Sequence, residues 1–302
     1  MKLIKNVLVY KAALPPAAAM RVHLAEIPFA EPNSTQAQSH GFIYVDRMFD
    51  LVSEFEGGYA FSWRIDEKVV PASAVAAELK KRCEVIEEDQ GHPPGRKQRR
   101  DIKDGVIEDF TARALIKSTP FVCFYDKANQ YLFIPTTSTS VADRIIGDLI
   151  RATGSVKMST IHVDDMKNGL TTRLNGWLEE FDDGHFGTFE PCDAVTLARG
   201  KETISIKVES LESAQVSLRD ALRSGFTVTA MRLSQGDSFS FGLTSSFRIK
   251  AIAQEIDSIE LESHDERFVR QAAVELFSLS AVVTELCTLL GYREPVDLLE
   301  AA

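Results

Sequence analysis

Apolar side chains recur along this chain with two different periods, and the changes of period divide it into elements. LIKNVLVY near the N-terminus, then GFIYVDR and GGYAFSWRI, are dense in Val, Ile, Phe and Tyr and read as buried strands. From Pro71 the period lengthens. In PASAVAAELKKRCEVIEEDQ the apolar positions Val75, Leu79 and Val85 or Ile86 recur at helical spacing, and GHPPG stops the helix with prolines and glycines. A second helix is predicted from about Arg96 to about Lys117. TPFVCFYD and QYLFIPT, parted by KAN, predict a β-hairpin. SVADRIIGDLIRATG then places Val141, Ile145, Leu149 and Ile150 on one helical face with Gly154 at the C-cap, and VKMSTIHV reads as a strand.

The rest of the chain repeats the mixture: a helix around GLTTRLNGWLEE, strands AVTLAR and TISIKV, a helix in ESAQVSLRDALRSG, then strands FTVTAMRL, SFSFGL and FRIKAI. The last helix, ERFVRQAAVELFSLSAVVTELCTLLG, carries Phe268, Ala272, Leu276 and Leu279 on one face and is expected in a core or subunit interface. Helices do not alternate regularly with strands. The fold class is therefore α+β, with mixed or antiparallel sheets, a helical pair and a long C-terminal helix. Two regions are expected, 1–163 including the basic helical pair at 71–117, and 164–302 with the terminal helix. No internal repeat or low-complexity tract is evident.

Composition adds little to this until charge is placed along the chain. At 302 residues, 44% apolar and 26% charged, the chain is long enough for a substantial core. Cys83, Cys123, Cys192 and Cys287 form no C-x-x-C pair, which argues against a disulfide framework or a zinc site and for reduced, mostly buried thiols. The first twenty residues lack the continuous apolar block of a signal peptide, and no run approaches a membrane span. A cytoplasmic location without membrane partners is expected.

The net charge of −10 argues against a general nucleic-acid binder, because an acidic protein repels phosphate at long range. Its distribution reverses that conclusion locally. Within 94–103, the five cations Arg96, Lys97, Arg99, Arg100 and Lys103 oppose only Asp101, giving +4 there and −14 elsewhere. On a helix at ~100° per residue, Arg96, Arg99, Arg100 and Lys103 share one stripe, at about 0°, 300°, 40° and 340°. Ile102, Val106 and Phe110 form a neighbouring apolar stripe, so the helix packs while its guanidinium groups face outward.

A solvated helix face is the plain alternative. Two features favour phosphate. Cations at a helix N-terminus oppose the macrodipole at a cost of ~0.3–1 kcal/mol each, and Arg, whose planar fork suits phosphate oxygens, outnumbers Lys on the stripe. Lys80, Lys81 and Arg82 at the end of the first helix, and Arg113 and Lys117 toward the end of the second, extend the candidate surface. No aromatic residue is interleaved, so duplex binding through backbone phosphates fits better than single-strand stacking.

Catalytic motifs are missing: there is no P-loop, G-x-G-x-x-G, G-x-S-x-G or H-E-x-x-H. The acidic stretches at Asp164 and Asp165 and at Glu179, Glu180, Asp182 and Asp183 near His185 hold the ligand types for Mg²⁺-dependent phosphodiester cleavage. Runs of acids in a Gly-containing loop are more often solvated turns. Asp101-Ile102-Lys103 matches a D-x-K triplet but falls on a predicted helix, not a strand. Trp63 and Trp177 are expected in the core rather than stacked on bases. No cofactor is called for, and the expectation is a protein that is not an enzyme.

In order and spacing, IKNVLVYK, VVPASAVAAELKKR, the basic second helix ending in TARAL, FVCFYDKANQYLFIPTTSTSVADRIIGDLIRATGSV, the Trp of LNGWLEE, and LSAVVTELCTLLG resemble the recombination-associated RdgC family. The likeness covers most of the chain and is clearest over the first 160 or so residues. It implies a homodimer closing into a ring around duplex DNA, sequence-independent binding, nucleoid association, and inhibition of RecA-driven recombination. By position, Arg96, Lys97, Arg99, Arg100 and Lys103 resemble the family's basic central helix. Where the family can carry Phe after an Arg-Ala pair near the ring contact, this chain has Leu115 after Arg113 and Ala114. The later lumen cations that the resemblance implies have candidates in Lys201, Lys207 and Lys250. An exonuclease, or a regulator acting by contact with the recombinase, is the competing reading.

Overall fold

The computed structural model describes residues 4–45, 50–161, 166–180, 183–254 and 263–292. Twelve strands and seven α-helices are found among them. In the first half these are β1 (Val7–Ala12), α1 (Ala17–Leu24), β2 (Gln38–Ile43), β3 (Val52–Phe55), β4 (Gly58–Val69), α2 (Ala72–Gln90), α3 (Arg96–Arg113), β5 (Leu115–Asp126), β6 (Tyr131–Ile134), α4 (Thr139–Thr153) and β7 (Met158–Thr160). In the second they are α5 (Met166–Glu180), β8 (Glu190–Arg199), β9 (Glu202–Lys207), α6 (Gln215–Arg223), β10 (Thr227–Gln235), β11 (Phe239–Thr244), β12 (Arg248–Gln254) and α7 (His264–Leu289).

All twelve strands belong to one antiparallel sheet, ordered β2-β4-β5-β6-β1-β12-β11-β10-β8-β9, with β3 beside β4 and β7 beside β1. The chain is α+β, as its pattern predicts. The sheet runs from one half of the chain into the other through β1, whose Val7 and Leu8 pair with Ile249 and Arg248 of β12.

Strand alternation sorts side chains onto two layers. Leu8, Tyr10, Tyr59, Phe61, Trp63 and Ile65 face a core completed by Met20 and Leu24 of α1 and by Ala142, Ile145 and Leu149 of α4. Val7, Val9, Ala60, Phe124 and Phe133 face the opposite core, which α5, α6 and α7 cover. α7 is long and apolar enough to cross a membrane by length and composition, contrary to the expectation that no run comes near this. Its Phe268, Ala272, Leu276 and Leu279 face is buried, and the helix lies against β3, β4 and β5 as a core element. Gly58 is needed where β4 meets β5, because a Cβ there would stand 2.1 Å from the Tyr125 carbonyl oxygen.

Three elements differ from the sequence reading. α1 and β3 were not anticipated, and the second helix of the pair stops at Arg113 rather than near Lys117. The cause is pairing: Leu115, Ile116 and Lys117 are taken up opposite Val69, Lys68 and Glu67 of β4. Lys117 is thus a strand residue. Trp63 and Trp177 are buried, Cys123 and Cys287 likewise, while Cys83 and Cys192 are half-buried and all four thiols are free.

Candidate nucleic-acid interface

β4 and β5 pair over twelve residues, from Gly58 opposite Asp126 out to Val69 opposite Leu115. The inner end of this ribbon is core, but Leu115–Ser118 at the outer end is exposed. There the chain leaves as α2 and returns as α3. The two helices pack on each other, burying Val75 and Leu79 of α2 and Val106 and Thr111 of α3, and neither makes comparable contact with another element. The result is an arm projecting from the sheet on a two-stranded stalk.

Local sequence explains the arm's shape. Gly91 ends α2 in the left-handed region, φ +75°, with its N–H donating to the Glu87 carbonyl at 2.8 Å. Gly95 then starts α3 without a side-chain cap or an acid in the first turn. Arg82 ties the helices together: Nε donates to Glu78 Oε1 at 3.0 Å and Nη2 to Asp109 Oδ2 at 2.7 Å. Asp109 first, and Glu78 after it, favour the charged guanidinium.

Arg96, Lys97, Arg99, Arg100 and Lys103 are all exposed, and none has a hydrogen bond or ion pair among the described residues. Several arginines elsewhere find carboxylates: Arg21 meets Asp50, Arg64 meets Asp66, Arg151 meets Asp148 and Arg199 meets Glu202. In a chain with 44 acidic residues, five adjacent unpaired cations stand apart. On the helical wheel Arg96, Arg99, Arg100 and Lys103 lie within about 60° of their mean near 350°, while Asp101, Asp104 and Glu108 fall at about 140°, 80° and 120°, a sector that also holds Lys97 at about 100°. Four of the five cations thus share a stripe, with Asp104 bordering it next to Arg100.

The nine candidate residues do not form one cluster. Arg96, Lys97, Arg99, Arg100 and Lys103 occupy the first two turns of α3, over ~10 Å of axis. Lys81 is exposed on α2, and Arg82 is engaged with Glu78 and Asp109 as described. Arg113 lies ~26 Å from Arg96 along α3, at the root of the arm, and Lys117 sits beyond it in β5. Near those two, sequence reasoning missed an apolar group: Leu115 is 84% exposed, Val69 49% and Ile116 42%. The signal was present as an apolar pair directly after TARA, outside any helical stripe. The acidic residues Asp164, Asp165 and Asp182, with His162, lie outside the described residues.

A projecting helical arm with a cationic stripe, set on a large antiparallel sheet, defines the class of protein, and comparison with known proteins gives that class its family. Residues 3–293 match the family model described as "Putative exonuclease, RdgC". A protein of Bordetella pertussis named recombination-associated protein RdgC is 25% identical over 300 residues, covering 97% of this chain and 99% of its own. Proteins of the same name from Janthinobacterium sp. (strain Marseille) and Cupriavidus pinatubonensis are each 26% identical, over 95% and 92% of this chain and 97% and 93% of theirs. The chain belongs to the RdgC family of recombination-associated proteins.

Proposed function

We propose that this protein binds duplex DNA independently of sequence, without cofactor or catalysis, and so limits RecA-dependent recombination on the nucleoid. The observation carrying this reading is the stripe of Arg96, Arg99, Arg100 and Lys103, exposed and unpaired among the described residues on a projecting helix. Guanidinium and ammonium groups on one face neutralise phosphates, and release of condensed counterions drives association. The net −14 of the rest of the chain, which includes acids of the arm itself, repels phosphate and so confines contact to the basic start of α3.

The exposed apolar group at Val69, Leu115 and Ile116 supports self-association, since water-exposed apolar surface beside a stalk is stabilised when a second copy covers it. Two copies joined there form the dimeric ring, which holds a duplex as a clamp and denies it to the recombinase filament. Closure slows dissociation without requiring base contacts.

The test is fluorescence-anisotropy titration of two unrelated duplexes by wild type and by an Arg96→Glu/Arg99→Glu/Arg100→Glu variant with unchanged circular dichroism. Equal wild-type affinity for both duplexes and loss of binding in the variant are expected. Undiminished binding by the variant removes the arm from the interface. The description of the family favours one second reading, an exonuclease. Loss of end-labelled DNA on adding Mg²⁺ or Mn²⁺ would establish it, and stable label under both ions rejects it.

A further inference from the structure

Far from the arm, where β12 gives way to β7 along one edge of β1, the sheet leaves a cavity of about 280 Å³. Tyr10, Thr139, Ser245 and Arg248 supply polar groups to its wall, and Ile161 and Phe247 supply apolar ones. We propose that this cavity binds a small phosphate monoester, with the phosphate held by Arg248, the Tyr10 hydroxyl and the first N–H groups of α4, and the ester group lying against Phe247 and Ile161.

Four observations carry this. Tyr10 is only 7% exposed, yet its hydroxyl has no hydrogen-bond partner among the described residues. The hydroxyl is not among the side-chain oxygens closed off from solvent, so it stands on the cavity wall as a donor and acceptor that a ligand atom can engage. Register places Arg248 opposite Leu8 and Thr160 opposite Tyr10, so these side chains rise from the same side of the sheet, toward α4. Arg248 directs Nη1 to the Thr137 carbonyl at 3.1 Å, which fixes the guanidinium beside the start of α4 and leaves its other N–H groups for an acceptor. α4 itself begins at Thr139, on the cavity wall, with no side-chain cap from Ser138 and no acid in its first turn. Such a helix start presents unpaired N–H donors and favours an anion.

The turn that brings Ser245 and Phe247 to the wall is backbone-strained: Phe247 has φ +52°, in the left-handed region that a bulky aromatic residue seldom adopts. The Phe247 N–H bonds the Thr244 carbonyl at 3.0 Å, and the Arg248 N–H bonds Thr244 Oγ1 at 3.1 Å, which hold the turn in place. The electrostatics agree. Burial raises the Tyr10 phenol above its ordinary range, Asp143 raises it further and Arg248 lowers it, so the hydroxyl lies within reach of both charges. Asp143 is exposed on α4 and outside the cavity wall, and it opposes an anion there. The cavity is small and mainly apolar, which suits a phosphate with one attached ring rather than a run of nucleic acid.

The test uses the full-length protein and calorimetric titration with inorganic phosphate, adenosine 5′-monophosphate and adenosine. Binding of the monophosphate and of phosphate, but not of adenosine, is expected. Arg248→Gln should weaken monophosphate binding by ~10-fold or more, and Tyr10→Phe, which keeps the ring, by ~3–10-fold. Asp143→Asn, a surface change with no packing cost, should tighten it. A 5′-phosphorylated duplex end that competes, where the dephosphorylated end does not, assigns the site to strand termini; failure to compete assigns it to a free metabolite. No binding of phosphate or monophosphate at millimolar concentration overturns the proposal, as does binding that Tyr10→Phe and Asp143→Asn both leave unchanged. Because the arm is distant, the Arg96/Arg99/Arg100 variant should bind the monophosphate normally, so failure of either reading leaves the other standing.

Discussion

Replacing Arg96, Arg99 and Arg100 of α3 with Gln removes three unpaired charges and no packing, since all three side chains are exposed. If each stripe cation neutralises one phosphate, log affinity falls against log salt with a slope of ~−0.9 per contact, so four give ~−3.6 per arm. Raising salt from ~50 to ~200 mM then weakens wild-type binding by ~150-fold. The triple variant keeps only Lys103, with a slope of ~−0.9 and a loss of ~3.5-fold over the same range. Two arms on one duplex double both slopes. The assay is anisotropy of a short labelled duplex at several salt concentrations, with Arg199→Gln as a charge-loss control, because Arg199 already holds Glu202 at 2.7 Å. A triple-variant slope equal to wild type would falsify the assignment of phosphate contacts to this helix.

Three further outcomes follow from the packing. Val106→Ala removes two buried methyl groups from an arm that packs only on itself, a loss of ~1.5–2 kcal/mol; hydrogen exchange should show faster opening confined to 72–113, with the sheet unchanged. Asp148, 2% exposed, accepts at Oδ2 from Trp63 Nε1 at 2.8 Å and His40 Nδ1 at 2.7 Å and at Oδ1 from Arg151 Nη1 at 3.1 Å; Asp148→Asn can keep an oxygen toward the first two but sets its NH₂ against Arg151 and removes the charge, and should cost ~1–3 kcal/mol in urea unfolding. The Arg64 guanidinium, at 2.6 Å, holds the Asp66 carboxyl below its usual range, with Ser118 adding to the effect. Its stabilisation is fully present above the ordinary Asp value near ~4 and is lost as pH falls through the lower folded value. Asp66→Asn should flatten that part of an acid-unfolding profile.

What was legible in the sequence was whatever local chemistry decides. GHPPG announced the arm's hinge because Gly91 is needed at positive φ, and the alternation of Tyr59, Phe61 and Trp63 announced a half-buried strand. The end of α3 was not legible. Nothing between Arg113 and Lys117 stops a helix; β4, twelve residues long, recruits them by pairing, a decision made at a distance. α1 was hidden behind Pro15 and Pro16, although Ala17, Met20 and Leu24 repeat at helical spacing and are buried. The charge stripe was visible, but its lack of partners was not. That depends on which side-chain pairs form in the folded arm, where Arg82 for one holds Asp109. The cavity at Tyr10 was invisible, since its walls come from residues over two hundred positions apart.

The seam between β1 and β12 also orders events during synthesis. β1 finds β6 and β7 once about 160 residues exist, but its Val7 and Leu8 wait for Ile249 and Arg248. At ~5–20 residues per second the ribosome needs another ~5–20 s to supply them. For that interval the start of β1 is an open strand edge, and such an edge pairs with whatever chain it meets. The nascent first half is therefore the species most exposed to misassembly, and it is the species on which a chaperone or a slow-codon pause would have the greatest effect.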